Sequence, residues 1–519
     1  MRRPSPSLRL LCLCLTLCAQ PLSASARVKV PRAELSPAQL DERLHQLGAG
    51  FKEAQVTWIV RDLKRGSSYS EEGADQLMHP ASTNKLATTA VALDTLGPQF
   101  RYTTRLWSSA PPAQGPLTLY WEASGDSKIT REVYRDWVKE LKAKGVTELA
   151  GLIIDDQRFT TQALAPGYES APDDDAAYRA AAGGVGYDFN RLVIRARPGE
   201  LNGPPKVSLV PPIKSAAIQN DAVTSSEGRE ELKIKLRERP DEQLLIEVSG
   251  SIPRRVRGKA FKGISVARRA PFPLRFAGEA LLSAIKQGGI KLSRGASVAR
   301  GELPPIAERT ALIEHRSPQL KRLLHDINTY SNNFMAEQTL LTLGLERRGF
   351  GGWDEGLSFV RERLKQRFKL SGFQYVNGSG LFGEAAFSAR QLSGLLIRAN
   401  ELSRGGFAEL LPQSRREGTI KRRFKSLPKG AVRAKTGTLN GVSTLCGYLT
   451  SRAKQKLSFC VMMGGFAKER LKAARALQDE MVTEMWRLKN PYPKPKSKAK
   501  PKRRAKARSK ARSKARSEP

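Results

Sequence analysis

His79-Pro80-Ala81-Ser82-Thr83-Asn84-Lys85 opens a run in which Leu86, Ala90 and Leu93 recur at helical spacing until Gly97-Pro98 ends it. Ser82 and Lys85 therefore fall one turn apart on one face of a helix start. An unactivated hydroxyl is a poor nucleophile at neutral pH. A lysine amine within hydrogen-bond reach can take its proton, provided desolvation or a neighbouring cation keeps that amine neutral. Alone the spacing is also that of a solvated Ser/Lys pair. Two further motifs change this. Ser331-Asn332-Asn333 precedes an apolar helical run, and Lys435-Thr436-Gly437-Thr438 leads into an apolar hairpin. Each is modest evidence by itself. Their order and local settings carry the weight: Ser-x-x-Lys at a helix start, Ser-x-Asn in a helix-joining turn, Lys-Thr-Gly leading a strand.

Competing chemistries find little support. The four histidines, His45, His79, His315 and His325, include no pair at the spacing of four that a helical metal site uses. No Gly-x-Ser-x-Gly elbow follows a convincing strand, and no Gly-rich phosphate loop with its lysine is present. Gly183-Gly184-Val185-Gly186 reads as a tight turn, and Asp155-Asp156 as the end of a strand capping a turn. No cofactor and no metal are expected.

With these motifs in hand, the chain resembles the serine D-alanyl-D-alanine carboxypeptidases and endopeptidases of the penicillin-binding-protein 4 type (peptidase S13, DacB). The likeness covers roughly residues 45–470. It extends to Ser331-Asn332-Asn333-Phe334-Met335-Ala336-Glu337, Gly378-Ser379-Gly380-Leu381, Gly418-Thr419-Ile420 and Gly441-Val442. The 245 residues between Lys85 and Ser331 fit as well, because this family places two extra domains there. The resemblance implies an α/β (α+β) transpeptidase-like fold shared with serine β-lactamases, an antiparallel sheet flanked by helices, with an inserted mostly-β region of two small domains.

It also implies roles. Ser82 would attack the penultimate D-Ala carbonyl, and Lys85 would be its base. Ser331 would relay a proton to the leaving amine, while Asn333 holds the substrate amide and Lys85. Lys435 would supply positive potential. Thr436, Gly437 and Thr438 would bind the substrate backbone or terminal carboxylate, and the backbone N–H groups of Ser82 and Thr438 would form the oxyanion hole. Peptidoglycan stem peptides would be the substrates and β-lactams the acylating inhibitors. Two departures stand out: Asn377 where the family usually has Asp, and Phe382-Gly383-Glu384 where Ser-Arg is common. They bear on substrate preference and rate more than on fold.

Charge frames the rest. The 519 residues carry 89 Lys and Arg against 50 Asp and Glu, a net +39. From Lys494 onward thirteen basic residues face Glu518 alone, giving the tail +12. The first 26 residues carry +3, so residues 27–493 keep +24. The tail is too polar to bury a core and is expected to be disordered, binding a polyanion in a salt-sensitive way. Nucleic acid is the reflex partner, but the other end opposes it. Arg2-Arg3, the apolar run Leu8–Leu17 and Ala24-Ser25-Ala26 form a secretory leader, favoured over an uncleaved anchor or a lipidated Cys18. Periplasmic or envelope location is expected, with anionic envelope polymers as the tail's partners.

The expected division is a leader over 1–26, a catalytic unit over 27–105 and 301–490, the insert over 106–300 and the tail over 491–519. Helices are expected after Ser36-Pro37 and over Glu132–Lys144, Leu320–Leu324, Asn332–Gly344, Asp354–Phe368 and Glu469–Leu488. The block from Lys206 to about Gly301 reads as turns and short strands. Val442–Leu449 and Lys456–Met463 read as a hairpin that sets Cys446 almost opposite Cys460, read as buried free thiols in preference to a bridge. Two other functions compete with the peptidase. One is a related β-lactamase or esterase, disfavoured by the large insert and the lack of a deacylating Glu motif. The other is a secreted polyanion- or wall-binding protein with a decayed pocket, disfavoured by the intact motifs.

Overall fold

The computed structural model describes residues 33–112, 115–171 and 174–491. The expected leader, and the tail beyond Pro491, lie outside the described residues. Near the start, Ser36 caps the helix Pro37–Ala49: its hydroxyl accepts the Gln39 N–H, and the Gln39 side chain returns a bond to the Ser36 N–H. Leu40 and Leu44 turn inward, and the helix packs beside the last one, Leu471–Trp486.

The catalytic sheet has five strands in the order Val432–Leu439, Val442–Thr450, Lys456–Gly464, Gln55–Asp62 and Ser68–Glu72. All neighbours are antiparallel. Both faces of its central hairpin are covered, which is why these strands read as continuous apolar runs instead of alternating. Cys446, Tyr448, Cys460 and Met462 face one core with the helices Lys85–Leu96 and Ala389–Leu402. Leu445, Phe459 and Val461 face another with Leu40, Met481 and Val482.

Cys446 and Cys460 are directly paired in register and joined as a disulfide. The expectation of free thiols is thus corrected: the hairpin brings the two Cα atoms to 4.0 Å on one face, close enough to bond.

Between the two stretches of the catalytic sheet the chain builds a mixed six-stranded sheet. Its path runs Lys291–Leu292, Glu148–Asp155, Leu117–Glu122, Thr103–Ser108, Thr310–Arg316, and Val298–Arg300 also pairs with Glu148–Asp155. The helix Arg131–Ala143 packs on it through Tyr134, Trp137 and Leu141. Three small three-stranded sheets occupy much of residues 191–269. One expectation fails here. Pro273–Gln287, inside the block read as strands and turns, is a helix with Pro at its first position and Leu274, Ala277, Leu281 and Ile285 buried at helical spacing. The apolar period was visible in the sequence, but the turn-rich neighbourhood obscured it.

Gly183–Gly186 forms the seam between this region and the catalytic helices. Gly183 exchanges hydrogen bonds with the Gln338 side chain, and a Cβ on Gly186 would sit 2.5 Å from the Phe334 ring. Asp156 is buried and paired with Arg300 at 2.8 and 3.1 Å, and Asp155 accepts the Gln157 N–H. Asp155 also accepts the Leu303 N–H at 3.3 Å.

Candidate active site

The turn that carries Ser82 is held in a costly conformation. Ala81 has φ +46°, a left-handed value unusual for a residue with a Cβ. Its N–H donates to His79 Nδ1 at 3.0 Å, and His79 Nε2 lies 3.2 Å from the Gly383 carbonyl. With Nδ1 accepting, the ring is neutral and Nε2 donates; burial pushes its pKa down, in keeping with that form. Thr83 and Thr444 both donate to the Pro80 carbonyl. The 3₁₀ turn Ala81–Asn84 then passes into the helix Lys85–Leu96, leaving Ser82 half-buried and Lys85 fully buried.

Lys85 Nζ has three partners: Ser82 Oγ at 3.0 Å, Asn333 Oδ1 at 2.7 Å and the Ser379 carbonyl at 2.8 Å. A neutral amine has two N–H donors and one lone pair. Here two partners only accept, and the third is a hydroxyl that can donate. The three partners can receive the three N–H groups of the ammonium, and in the uncharged amine Asn333 and the Ser379 carbonyl take its two N–H groups while the lone pair is free for the Ser82 hydroxyl. Desolvation lowers the Lys85 pKa to about 7, against the opposing pull of the Glu337 carboxylate.

The second motif lies at the joint between the helices Leu320–Tyr330 and Asn333–Arg348. Asn332, the middle residue, is the N-cap, its side chain accepting the Met335 N–H at 3.0 Å. That leaves Ser331 and Asn333 to face the cleft. Asn333 donates from Nδ2 to the Tyr178 carbonyl at 2.9 Å, which fixes its Oδ1 toward Lys85. The third motif lies on the edge strand Val432–Leu439. Buried Lys435 donates to Ser331 Oγ at 2.9 Å and to the Thr436 carbonyl at 2.7 Å. Desolvation, then the charge of Lys85, hold its pKa well below the usual lysine range. Thr436 donates to the Thr419 hydroxyl at 2.9 Å.

All five side chains singled out in sequence, Ser82, Lys85, Ser331, Asn333 and Lys435, thus join two hydrogen-bonded groups, Ser82–Lys85–Asn333 and Ser331–Lys435. The two are linked through the short Ser331–Asn333 turn. The chain belongs to the D-Ala-D-Ala carboxypeptidase 3 (S13) family. The family match spans residues 36–485. A D-alanyl-D-alanine carboxypeptidase of Actinomadura sp. is 29% identical over 87% of this chain and 86% of its own length. The DacB carboxypeptidase of Haemophilus influenzae is 22% identical over 80% and 86%. The solved structure of penicillin binding protein 4 from H. influenzae shares the fold at TM-score 0.72, with 19% identity over 86% of this chain and 99% of that one. A predatory peptidoglycan endopeptidase of Bdellovibrio bacteriovorus shares it more distantly, at TM-score 0.52 and 13% identity over 83% and 91%. The activity is that of a serine-type D-Ala-D-Ala carboxypeptidase/endopeptidase on peptidoglycan, with stem peptides as substrates and β-lactams as inhibitors.

Three residues near the site were not assigned roles from sequence. Arg475, exposed on the last helix, donates to the Thr438 hydroxyl at 3.1 Å. Ser379 contributes its carbonyl, which no side-chain pattern announces. Glu337 is wholly buried and accepts the N–H groups of Gly378 and Ser379. The Glu337 position was visible only within the family-like run after Ser331. Among the described residues no cluster of His, Cys, Asp or Glu is arranged to hold a metal ion, and no helix is long and apolar enough to cross a membrane.

Proposed function

We propose that Ser82 is the nucleophile and Lys85 its general base in cleavage after the penultimate D-Ala. The observation that carries this reading is the fully buried Lys85 amine, 3.0 Å from Ser82 Oγ with both other partners acceptors. Lys85 takes the hydroxyl proton as Oγ bonds to the carbonyl carbon. The oxyanion is received by the backbone N–H groups of Ser82 and Thr438, where one such donor is worth about 3 kcal/mol. The proton that Lys85 took is handed on through the Ser331 hydroxyl, which Lys435 holds, to the departing amine as the C–N bond breaks, leaving an ester on Ser82 and Lys85 neutral again. Water, deprotonated by Lys85, then attacks the ester, and the proton returns to Oγ as the peptide acid leaves.

Thr436, Gly437 and Thr438 bind the substrate along the strand edge, and Arg475 adds a cation next to Thr438 for the terminal carboxylate. When the leaving amine belongs to a meso-diaminopimelate crosslink, the same steps are endopeptidase action. The leader-like start of the sequence, Arg2-Arg3 to Ala26, supports a periplasmic or envelope location for this chemistry. The basic tail, residues 494–519, adds a salt-sensitive hold on sacculi or anionic polymers.

Fluorescent penicillin followed by mass spectrometry tests the reading. An adduct on Ser82 that is absent from Ser82→Ala is expected. A folded chain that never labels at any pH would favour wall binding without catalysis. Deleting residues 494–519 is expected to weaken sacculus binding at low salt while leaving turnover of a small peptide intact.

A further inference from the structure

We propose that Glu337 is a positioning residue for the Lys85 base, its carboxylate pinning the turn whose Ser379 carbonyl holds Nζ. This rests on Lys85 acting on Ser82. Glu337 lies one helical turn beyond Asn333, on the same helix, and is 0% exposed. Its Oε2 accepts the Gly378 N–H at 2.7 Å, and its Oε1 accepts the Ser379 N–H at 2.9 Å and the Tyr168 hydroxyl at 3.3 Å. No Lys or Arg forms an ion pair with it among the described residues. Ser379 thus has its N–H on the carboxylate and its carbonyl on Lys85 Nζ at 2.8 Å.

The turn is shaped for this. A Cβ on Gly378 would sit 2.6 Å from the Ala336 carbonyl and 3.0 Å from Glu337 Oε2, so only glycine lets the backbone settle on the carboxylate. On the far side, Thr88 donates to the Gly378 carbonyl at 2.6 Å. The helix therefore reaches the base twice, directly through Asn333 and through the Ser379 peptide by way of Glu337. Tyr168 adds a third route, since its hydroxyl also lies 3.1 Å from Ser379 Oγ. A residue from the inserted region is thereby coupled to the catalytic base.

Glu337 acts on charge as well as place. The titratable or charged groups around the pair are Lys85 on the nucleophile helix, Glu337 on its own helix, Lys435 on the edge strand, Tyr168 from the insert and Tyr375 before the turn. Burial and then the charge of Lys85 hold Lys435 below the usual lysine range, whereas the Glu337 carboxylate favours charge on Lys85. Tyr168 and Tyr375 are buried and held neutral, with desolvation the main cause. Among the described residues around the pair, Glu337 is thus the carboxylate whose ionisation favours protonated Lys85; burial raises its own pKa, opposed by the hydrogen bonds from Ser379 and Gly378 and by the charge of Lys85.

The experiment follows penicillin acylation of Ser82 against pH in the full chain, with thermal melting to confirm folding. Glu337→Gln removes the charge and turns an amide N–H₂ toward backbone groups that only donate. Its ascending limb is expected to move to lower pH by about one unit, with a plateau lowered about tenfold or more. Glu337→Asp keeps the charge but shortens the reach, so its limb stays in place while the plateau falls. A folded Gln variant with an unmoved limb would overturn the proposal, as would an Asp variant that shifts as far as Gln. If Glu337→Gln does not fold, Tyr168→Phe decides: loss of one donor to the carboxylate is expected to move the limb the same way by less, and an unmoved limb overturns. Failure of the unaltered chain to label at Ser82 would instead overturn the assignment of nucleophile and base.

Discussion

Gly437 approaches Pro80 so closely that a Cβ on it would lie 2.7 Å from the Pro80 carbonyl oxygen. It would also meet the Thr444 hydroxyl at 2.1 Å and the Ala81 Cβ at 3.0 Å. Glycine in this motif is therefore a spacing requirement that lets the edge strand lie against the nucleophile turn. Gly437→Ala is expected to push the strand off that turn. Overpacking of this kind costs about 1–3 kcal/mol, and displacement of the Thr438 N–H should slow acylation by about a hundredfold. Thermal melting and penicillin labelling check both parts; full-speed labelling would show that the strand need not touch the turn.

The state of Lys85 sets the pH response. Its pKa is lowered to about 7, chiefly by desolvation. Below that value Nζ carries a proton and has no lone pair for Ser82; above it the amine is free. Acylation is therefore expected to rise with pH through about 7, with about one lysine in eleven competent at pH 6. Stopped acylation assays across pH 5–9 measure the limb. A rate independent of pH in that range would remove Lys85 as the titrating base.

Asn377, which departs from the usual family Asp, is fully buried and uses both ends of its amide. Nδ2 donates to the carbonyls of Pro166 and Leu381, each at 3.0 Å, and Oδ1 accepts the Gly380 N–H at 2.8 Å. A carboxylate there would face two carbonyl oxygens with no proton between them, and a protonated carboxyl would replace only one of the two bonds. Asn377→Asp is expected to destabilise this chain by about 1–3 kcal/mol, more at pH 8 than at pH 5. Chemical denaturation at the two pH values checks the sign.

Arg475 lies where the sequence offered no cue, on a helix far along the chain from the Lys-Thr-Gly strand. Its bond to the Thr438 hydroxyl puts an exposed guanidinium beside Thr438, where the proposed function seats the terminal carboxylate. Arg475→Ala is expected to raise KM for a peptide ending in free D-Ala by about tenfold. Turnover of the same peptide with its terminal carboxylate amidated should change less than that of the free acid, and equal effects on both would assign Arg475 to the strand's stability instead.

Much of the candidate site was legible because it rests on short spacings. Ser82 and Lys85, or Ser331 and Asn333, need only a local turn to face one way. The late hairpin and the helix Arg131–Ala143 were legible too, their apolar patterns being long and regular. What sequence left hidden depends on contacts between distant segments. The Ser379 carbonyl, the guanidinium of Arg475 and the burial of Glu337 have no local signature. The Cys446–Cys460 bridge was half legible: pairing opposite one another followed from the hairpin, but bonding depended on how closely the strands approach.

The sheet order carries a consequence for biosynthesis. Gln55–Asp62, made early, pairs with Lys456–Gly464, made late, and the nucleophile turn needs the strand that holds Lys435 and Gly437 beside it. A growing polypeptide that has not reached that strand has Ser82 but no cleft. The cleft is therefore completed only late in synthesis, and a chain ended before Val432 lacks Lys435, Gly437 and the strand edge they lie on.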